Sequence, residues 1–145
     1  MAQIIRHNRY AFFFGGQSTA FAPQSLQQLH READLRAAAP YAPILDQLAA
    51  MRCTILRQTH STQGYAVSEE SFIEPYTHEG DYLITNTPGI ALCVATADCA
   101  PIILYSTATP AVAVIHAGWR GAHAGIIERA VEHLAREYAI TPATL

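Results

Sequence analysis

His60, Cys99 and His116 are the residues of this chain whose types and placement could support metal chemistry. Two imidazoles and one thiolate make a catalytic zinc set, with the fourth position left for water or substrate. A closed structural site would need a fourth protein ligand, ordinarily from a tight CxxC or HxxxH pair, and neither spacing occurs here. Taken singly, each residue also has a plainer reading, as a core cysteine or a hydrogen-bonded histidine. The set therefore depends on whether the fold brings the three together.

A second feature is His116-Ala117-Gly118-Trp119-Arg120-Gly121, which joins an apolar run to a helical pattern through two glycines. Backbone N–H groups of Gly118 and Gly121 and the Arg120 guanidinium could meet a phosphate there. Alternatively, the glycines only make a sharp turn and Trp119 packs over it. Asp98, beside Cys99, is a candidate acid/base or a carboxylate that orients a histidine, unless it merely caps its turn. Cys99 as a nucleophile with His116 as base is a further reading, weakened because a metal-bound thiolate attacks poorly. His7, His30, His78, His123 and His133 read as surface or loop residues, and Cys53 and Cys93 as packing residues in apolar strands.

The elements that must position these groups follow from pattern. Residues 9–14 suit a strand before the Gly15-Gly16 turn, 23–39 a helix, 44–51 a short second helix and 53–58 a strand. A short strand is expected at 65–67 within a polar loop, and another at 81–85 before the Asn86-Thr87-Pro88-Gly89 turn. The nearly all-apolar runs 90–95, 102–105 and 111–115 suit strands buried on both faces. The pattern of 121–138 predicts one amphipathic helix, with Ile127, Val131, Leu134 and Tyr138 on its inner stripe.

The connection 106–110 is too short for a parallel crossover, so the strands on either side should form an antiparallel hairpin. With Tyr105 opposite Ala111, Ala100 falls opposite His116, and Cys99 and His116 share one end of a sheet. His60 follows the strand 53–58, where side chains emerge onto loops.

Composition narrows the function classes. The chain has 145 residues, 50% of them apolar and 14% charged, which suits one domain (1–145) with a real core. No apolar run approaches the ~20 residues needed to span a bilayer, and the N-terminus lacks the ordering of a signal peptide. The net charge of −3 and the lack of a basic stripe argue against nucleic acid. Three cysteines without a CxxC pair suit a reducing compartment, so a cytoplasmic location is expected. A Walker motif, a GxSxG elbow, a Rossmann fingerprint and the deaminase signature HxE…PCxxC are absent.

Three segments together, Gln58-Thr59-His60, GDYLITNTPGIALCVATADCAPIILY (80–105) and AVAVIHAGWRGAHAGIIERAVEHL (111–134), resemble the YfiH-like proteins. That group is also called the polyphenol-oxidase or laccase-domain family and is regarded as one of purine nucleoside phosphorylases. The resemblance implies that His60, Cys99 and His116 are zinc ligands, and an α/β (α+β) fold with mixed sheets layered α/β/β/α. It implies phosphorolysis of adenosine, inosine and methylthioadenosine, with adenosine deamination as a further activity. The implied substrates are a purine nucleoside and phosphate, without nucleic acid or membrane. Copper-dependent phenol oxidation is the family's older label, and a His/His/Cys set could take copper in vitro.

The chain departs from the family at 11–16, where Phe13 stands in place of an arginine. Family members also continue beyond the point matching Leu145, so an incomplete, truncated domain is expected, with self-association through its uncovered strand edge and weakened turnover. A non-catalytic zinc module that binds a partner is the rival reading.

Overall fold

The computed structural model describes residues 3–7, 9–15 and 41–145. The helix expected at 23–39 lies outside them. Strands β1 (Gln3–His7) and β2 (Tyr10–Phe14) precede helix α1 (Tyr41–Gln47) and strand β3 (Arg52–Ile55). Then come β4 (Gly64–Ala66), β5 (Tyr82–Thr85), β6 (Ile90–Cys93), β7 (Ala100–Tyr105) and β8 (Val112–Ala117). Helices α2 (Trp119–His123) and α3 (Ile126–Tyr138) follow, with a 3-10 turn at Pro142–Thr144.

The centre is a mixed four-stranded sheet in the order β4-β5-β8-β7. β5 and β8 are antiparallel and nearly all buried, as continuous apolar runs require when both faces are covered. Alternation sends Tyr82, Ile84, Ala113 and Ile115 to one face, where they meet Ile126, Ala130 and Leu134 of α3. Leu83 and Val114 point the other way, onto Leu56, Val67, Ile73 and Ile90. The second sheet, β3 and β6 in parallel, lies on this side. Its outer residues Cys53, Ile55, Ala91 and Cys93 gather with Leu45 and Leu48 at α1. The layers therefore run α1, β3–β6, β4-β5-β8-β7, α3, the mixed α/β/β/α arrangement that the resemblance implies. The β1–β2 hairpin sits against β7, with His7, Tyr10 and Phe12 around the Tyr105 ring.

Several sequence expectations shift. β1 was not foreseen, because QIIRH is mostly polar and exposed. Helix α1 ends at Gln47 rather than 51, and Ala49 turns the chain with φ 53°. β3 stops at Ile55, not 58, after which only Arg57 bridges to Glu79. β7 is an edge strand and half-buried, not covered on both faces. The β7–β8 hairpin is antiparallel as expected, but its register is one residue off: Tyr105 faces Val112 and Pro101 faces His116. Ser106 is the cause. Its N–H bonds Ala111 O at 3.0 Å and its hydroxyl accepts from Ala108 and Thr109 N–H, so the turn closes at Ser106 and Ala111.

The helix expected over 121–138 is two helices. Gly125 between them has φ 82°, a left-handed conformation that glycine adopts without strain and that ends α2. On the inner face of α3, Ile126, Ala130 and Leu134 are fully buried, with Ile127, Val131 and Tyr138 half-buried beside them.

Leu134, with no exposed surface, should be the anchor of α3 on the sheet. Leu134→Ala is expected to cost about 2–5 kcal/mol, while Glu132→Ala on the exposed face should stay within about 0.5 kcal/mol. Urea denaturation of both variants checks this.

Candidate metal centre

Three separate segments deliver the ligands to one end of the central sheet. β8 runs into the site and carries His116 near its end; β7, antiparallel to it, begins one residue after Cys99. His60 comes from the loop after β3. The loop is fastened to the stretch before Cys99 by Gln58, whose amide donates to Ala95 O at 2.7 Å and accepts from Ala95 N–H at 2.8 Å. That pair substitutes for two ladder bonds where the strands have stopped.

The ligand atoms of His60, Cys99 and His116 all lie within 4.8 Å of one another. Cys99 Sγ is 3.7 Å from His60 Nε2. A tetrahedral zinc with ordinary Zn–S and Zn–N lengths would set that pair about 3.6 Å apart. The imidazole rings of His60 and His116 stand 4.9 Å apart at 69°, edge to face. Burial is graded: His116 is buried, Cys99 half-buried and His60 exposed. An ion held here would face solvent on the His60 side, where a fourth ligand could enter.

Asp81 organises the set. Its side chain is wholly buried, and its Oδ1 accepts from His116 Nδ1 at 2.8 Å and from His60 N–H at 2.9 Å. Oδ2 accepts from both the N–H and the hydroxyl of Ser61, each at 2.6 Å, with Thr59 N–H at 3.2 Å from Oδ1. Nδ1 of His116 is thereby spoken for, leaving Nε2 for a metal, the usual carboxylate–histidine–metal relation. The same carboxylate holds His60 at φ 61°, a left-handed backbone that costs a non-glycine residue roughly 1–3 kcal/mol. Burial alone would raise the Asp81 pKa, but hydrogen bonds from Ser61, His116 and the backbone hold it below the ordinary carboxylate value.

Gly118 and Gly121 serve close approach. A Cβ on Gly118 would meet His60 Cδ2 at 2.6 Å and Cys99 Sγ at 3.2 Å, so the ligand cluster fills the space a side chain would need. One on Gly121 would meet the Ser61 carbonyl oxygen at 2.9 Å. The glycines thus let α2 start against the His60 loop. Trp119 does not cover that turn; it is 75% exposed, with the Arg120 guanidinium over its ring at 5.2 Å. Asp98 is exposed, and the carboxylate that orients a histidine is Asp81, which the sequence pattern marks only as the start of a strand. The other histidines divide. His133 is half-buried and paired with Tyr82 Oη at 3.0 Å, not a free surface residue, while His78 is exposed beside Tyr65. Cys53 is buried as expected, and burial pushes the Cys93 thiol up to about 12.

Asp81→Asn should lower metal affinity by about 10–100-fold, read by competition with a chromogenic chelator. It should also flatten the acid limb of stability. A depressed carboxylate stabilises the fold at pH values above the ordinary Asp value of about 3.9 and loses that contribution as pH falls through its lower native value. Thermal melts from pH 6 down to 3 test this; a wild-type acid slope in the variant would contradict it. Gly118→Ala should displace His60 or Cys99 and abolish tight metal binding while leaving the far core intact.

Comparison with known proteins agrees with this architecture. A purine nucleoside phosphorylase of Bacteroides thetaiotaomicron is 37% identical over 87 residues, 56% of this chain and 32% of its own length. An enzyme named adenosine deaminase RL5, from an unknown prokaryotic organism, is 42% identical over 90 residues, 57% of this chain and 34% of its own. The crystal structure of YlmD from Geobacillus stearothermophilus superposes with a TM-score of 0.59 at 26% identity, over 75% of this chain and 41% of that one. The aligned part is about a third of the length of the two named enzymes. The family model described as multi-copper polyphenol oxidoreductase laccase matches residues 15–145, and the chain belongs to that family.

Proposed function

We propose that this chain carries the single-zinc centre of a purine nucleoside enzyme, acting in phosphorolysis of adenosine, inosine and methylthioadenosine. The observation that carries the reading is the open His60, Cys99 and His116 cluster held by Asp81. The relatives named purine nucleoside phosphorylase and adenosine deaminase support the substrate class. Among the described residues these three form the one His/Cys/Asp/Glu group close enough to grip an ion, which suits a mononuclear site better than a multi-copper array. Zinc supplies Lewis acidity at such a site.

The chain's own residues have distinct tasks in this reading. Asp81 keeps the His116 ring oriented and the His60 backbone in place. Arg120, exposed on α2, offers positive charge to phosphate beside Gly118–Gly121. Helix α2 is a single turn, so its dipole adds little and the guanidinium is the principal attraction. A phosphate oxygen then bonds to ribose C1′ as the glycosidic bond breaks and the purine leaves with a proton. Asp98, exposed beside Cys99, would take up the role of managing that proton. Cys99 serves as a ligand rather than as the attacking group. We place the protein in the cytoplasm; its three free cysteines support this, and no helix among the described residues is long and apolar enough to cross a membrane.

Incubation with adenosine and phosphate should yield adenine and ribose 1-phosphate. Inosine formed without phosphate dependence would mark a deaminase instead. Absence of both products, with phenol oxidation on copper loading, would favour the older family label. His60→Ala should reduce turnover at least ~100-fold together with zinc content, whereas Arg120→Ala should raise KM for phosphate and leave nucleoside KM nearly unchanged. Elemental analysis and product chromatography read both.

A further inference from the structure

Trp119 is 75% exposed, an unusual state for the largest apolar side chain of a protein. The other large apolar residues exposed among the described ones are Ile5 and Phe14 on β1 and β2, and Met51 before β3. None belongs to the loops that build the metal cluster. Around Trp119 the chain is instead polar or small, with exposed Arg120, Ala122 and His123 on the same short helix. A protein-binding surface would need a contiguous apolar core, and this is a single ring on a polar rim.

Its position is tied to the metal cluster. Trp119 directly follows Gly118, whose missing Cβ leaves the space filled by the His60 ring and Cys99 Sγ. Arg120 lies over the indole with its guanidinium carbon 5.2 Å from the ring centroid. A cation over one face of an indole is favourable in itself and leaves the opposite face open. An exposed aromatic ring one residue from the glycine that packs against His60 and Cys99 offers a platform for a flat, electron-poor heterocycle.

We infer that Trp119 is the base-binding residue of this site, stacking the purine ring on its open indole face while the ribose reaches toward the metal cluster. The inference rests on the purine reading above but makes a separate claim. Recognition through the π-face tolerates different exocyclic groups, so one platform would accept adenine and hypoxanthine nucleosides alike. Arg120 covers the other indole face and leaves base binding to Trp119 alone.

The chain has one tryptophan, so its intrinsic fluorescence reports Trp119 alone. Titration of the zinc-loaded protein with adenine, adenosine and ribose 5-phosphate should give saturable quenching by the first two and none by the sugar phosphate. Trp119→Leu should weaken adenine binding, measured by calorimetry, about tenfold or more, as loss of one base stack does. Trp119→Phe should recover most of it. The exposed position predicts unchanged melting temperatures for both variants. Adenine binding of wild-type strength in Trp119→Leu, quenching by the sugar phosphate alone, or no adenine binding by the wild type would each overturn the inference. Adenine stacking without nucleoside turnover would uphold the platform and refute the enzyme reading. Turnover with wild-type KM in Trp119→Leu would do the reverse.

Discussion

A buried carboxylate with no exposed surface must be satisfied by donors, and the Asp81 side chain draws them from two distant stretches of the chain. The need is mutual. The Thr59, His60 and Ser61 N–H groups lie in a loop that has left β3 and has no ladder to join. One acceptor answers all of them and the His116 ring as well. The backbone of Asp81 is pinned too, its N–H to Gln63 O at 2.8 Å and its carbonyl to His116 N–H at 2.7 Å. Side chain and main chain thus grip both sides of the ligand cluster from one residue.

Sheet topology makes this convergence available. β5 and β7 both run antiparallel to β8, so the starts of β5 and β7 and the end of β8 lie at one edge of the central sheet. Asp81 precedes β5, Cys99 precedes β7 and His116 is near the end of β8. His60 must cross from the other layer, where β3 pairs with β6, and Gln58 fastens it to Ala95 on the way. The glycines at 118 and 121 then allow α2 to lie against the crossing loop. Layered packing brings the segments near one another, and short polar clamps set their final positions.

Much of this was legible in the sequence. The strands β5, β6 and β8 and the antiparallel hairpin follow from patterning and loop length, and the resemblance singles out His60, Cys99 and His116, which the fold brings together. What escaped depended on contacts between distant residues. Asp81 looked like the start of a strand because nothing local distinguishes it; its role exists only once residues 59–61 and 116 meet. The hairpin register moved by one because the Ser106 hydroxyl caps the turn, a choice that side-chain alternation does not encode. The amphipathic pattern over 121–138 runs straight through Gly125, whose left-handed conformation divides it into two helices. β1 went unnoticed since an exposed edge strand carries little hydrophobic signal.

The strain at His60 clarifies how the site and the fold are coupled. In small zinc modules the ion itself orders the ligands, so metal binding and folding are one event. Here the left-handed turn at His60 and the His116 tautomer are set by Asp81, a protein group that is present before any ion arrives. The cost of ordering the ligands is met within the fold, by hydrogen bonds to a charged acceptor that are stronger than neutral ones. An ion held by His60, Cys99 and His116 would not have to hold the chain together, and it would face solvent on the exposed His60 side. A cluster whose geometry the protein enforces would let a bound ion exchange its outer ligand without loosening the ligands that hold it.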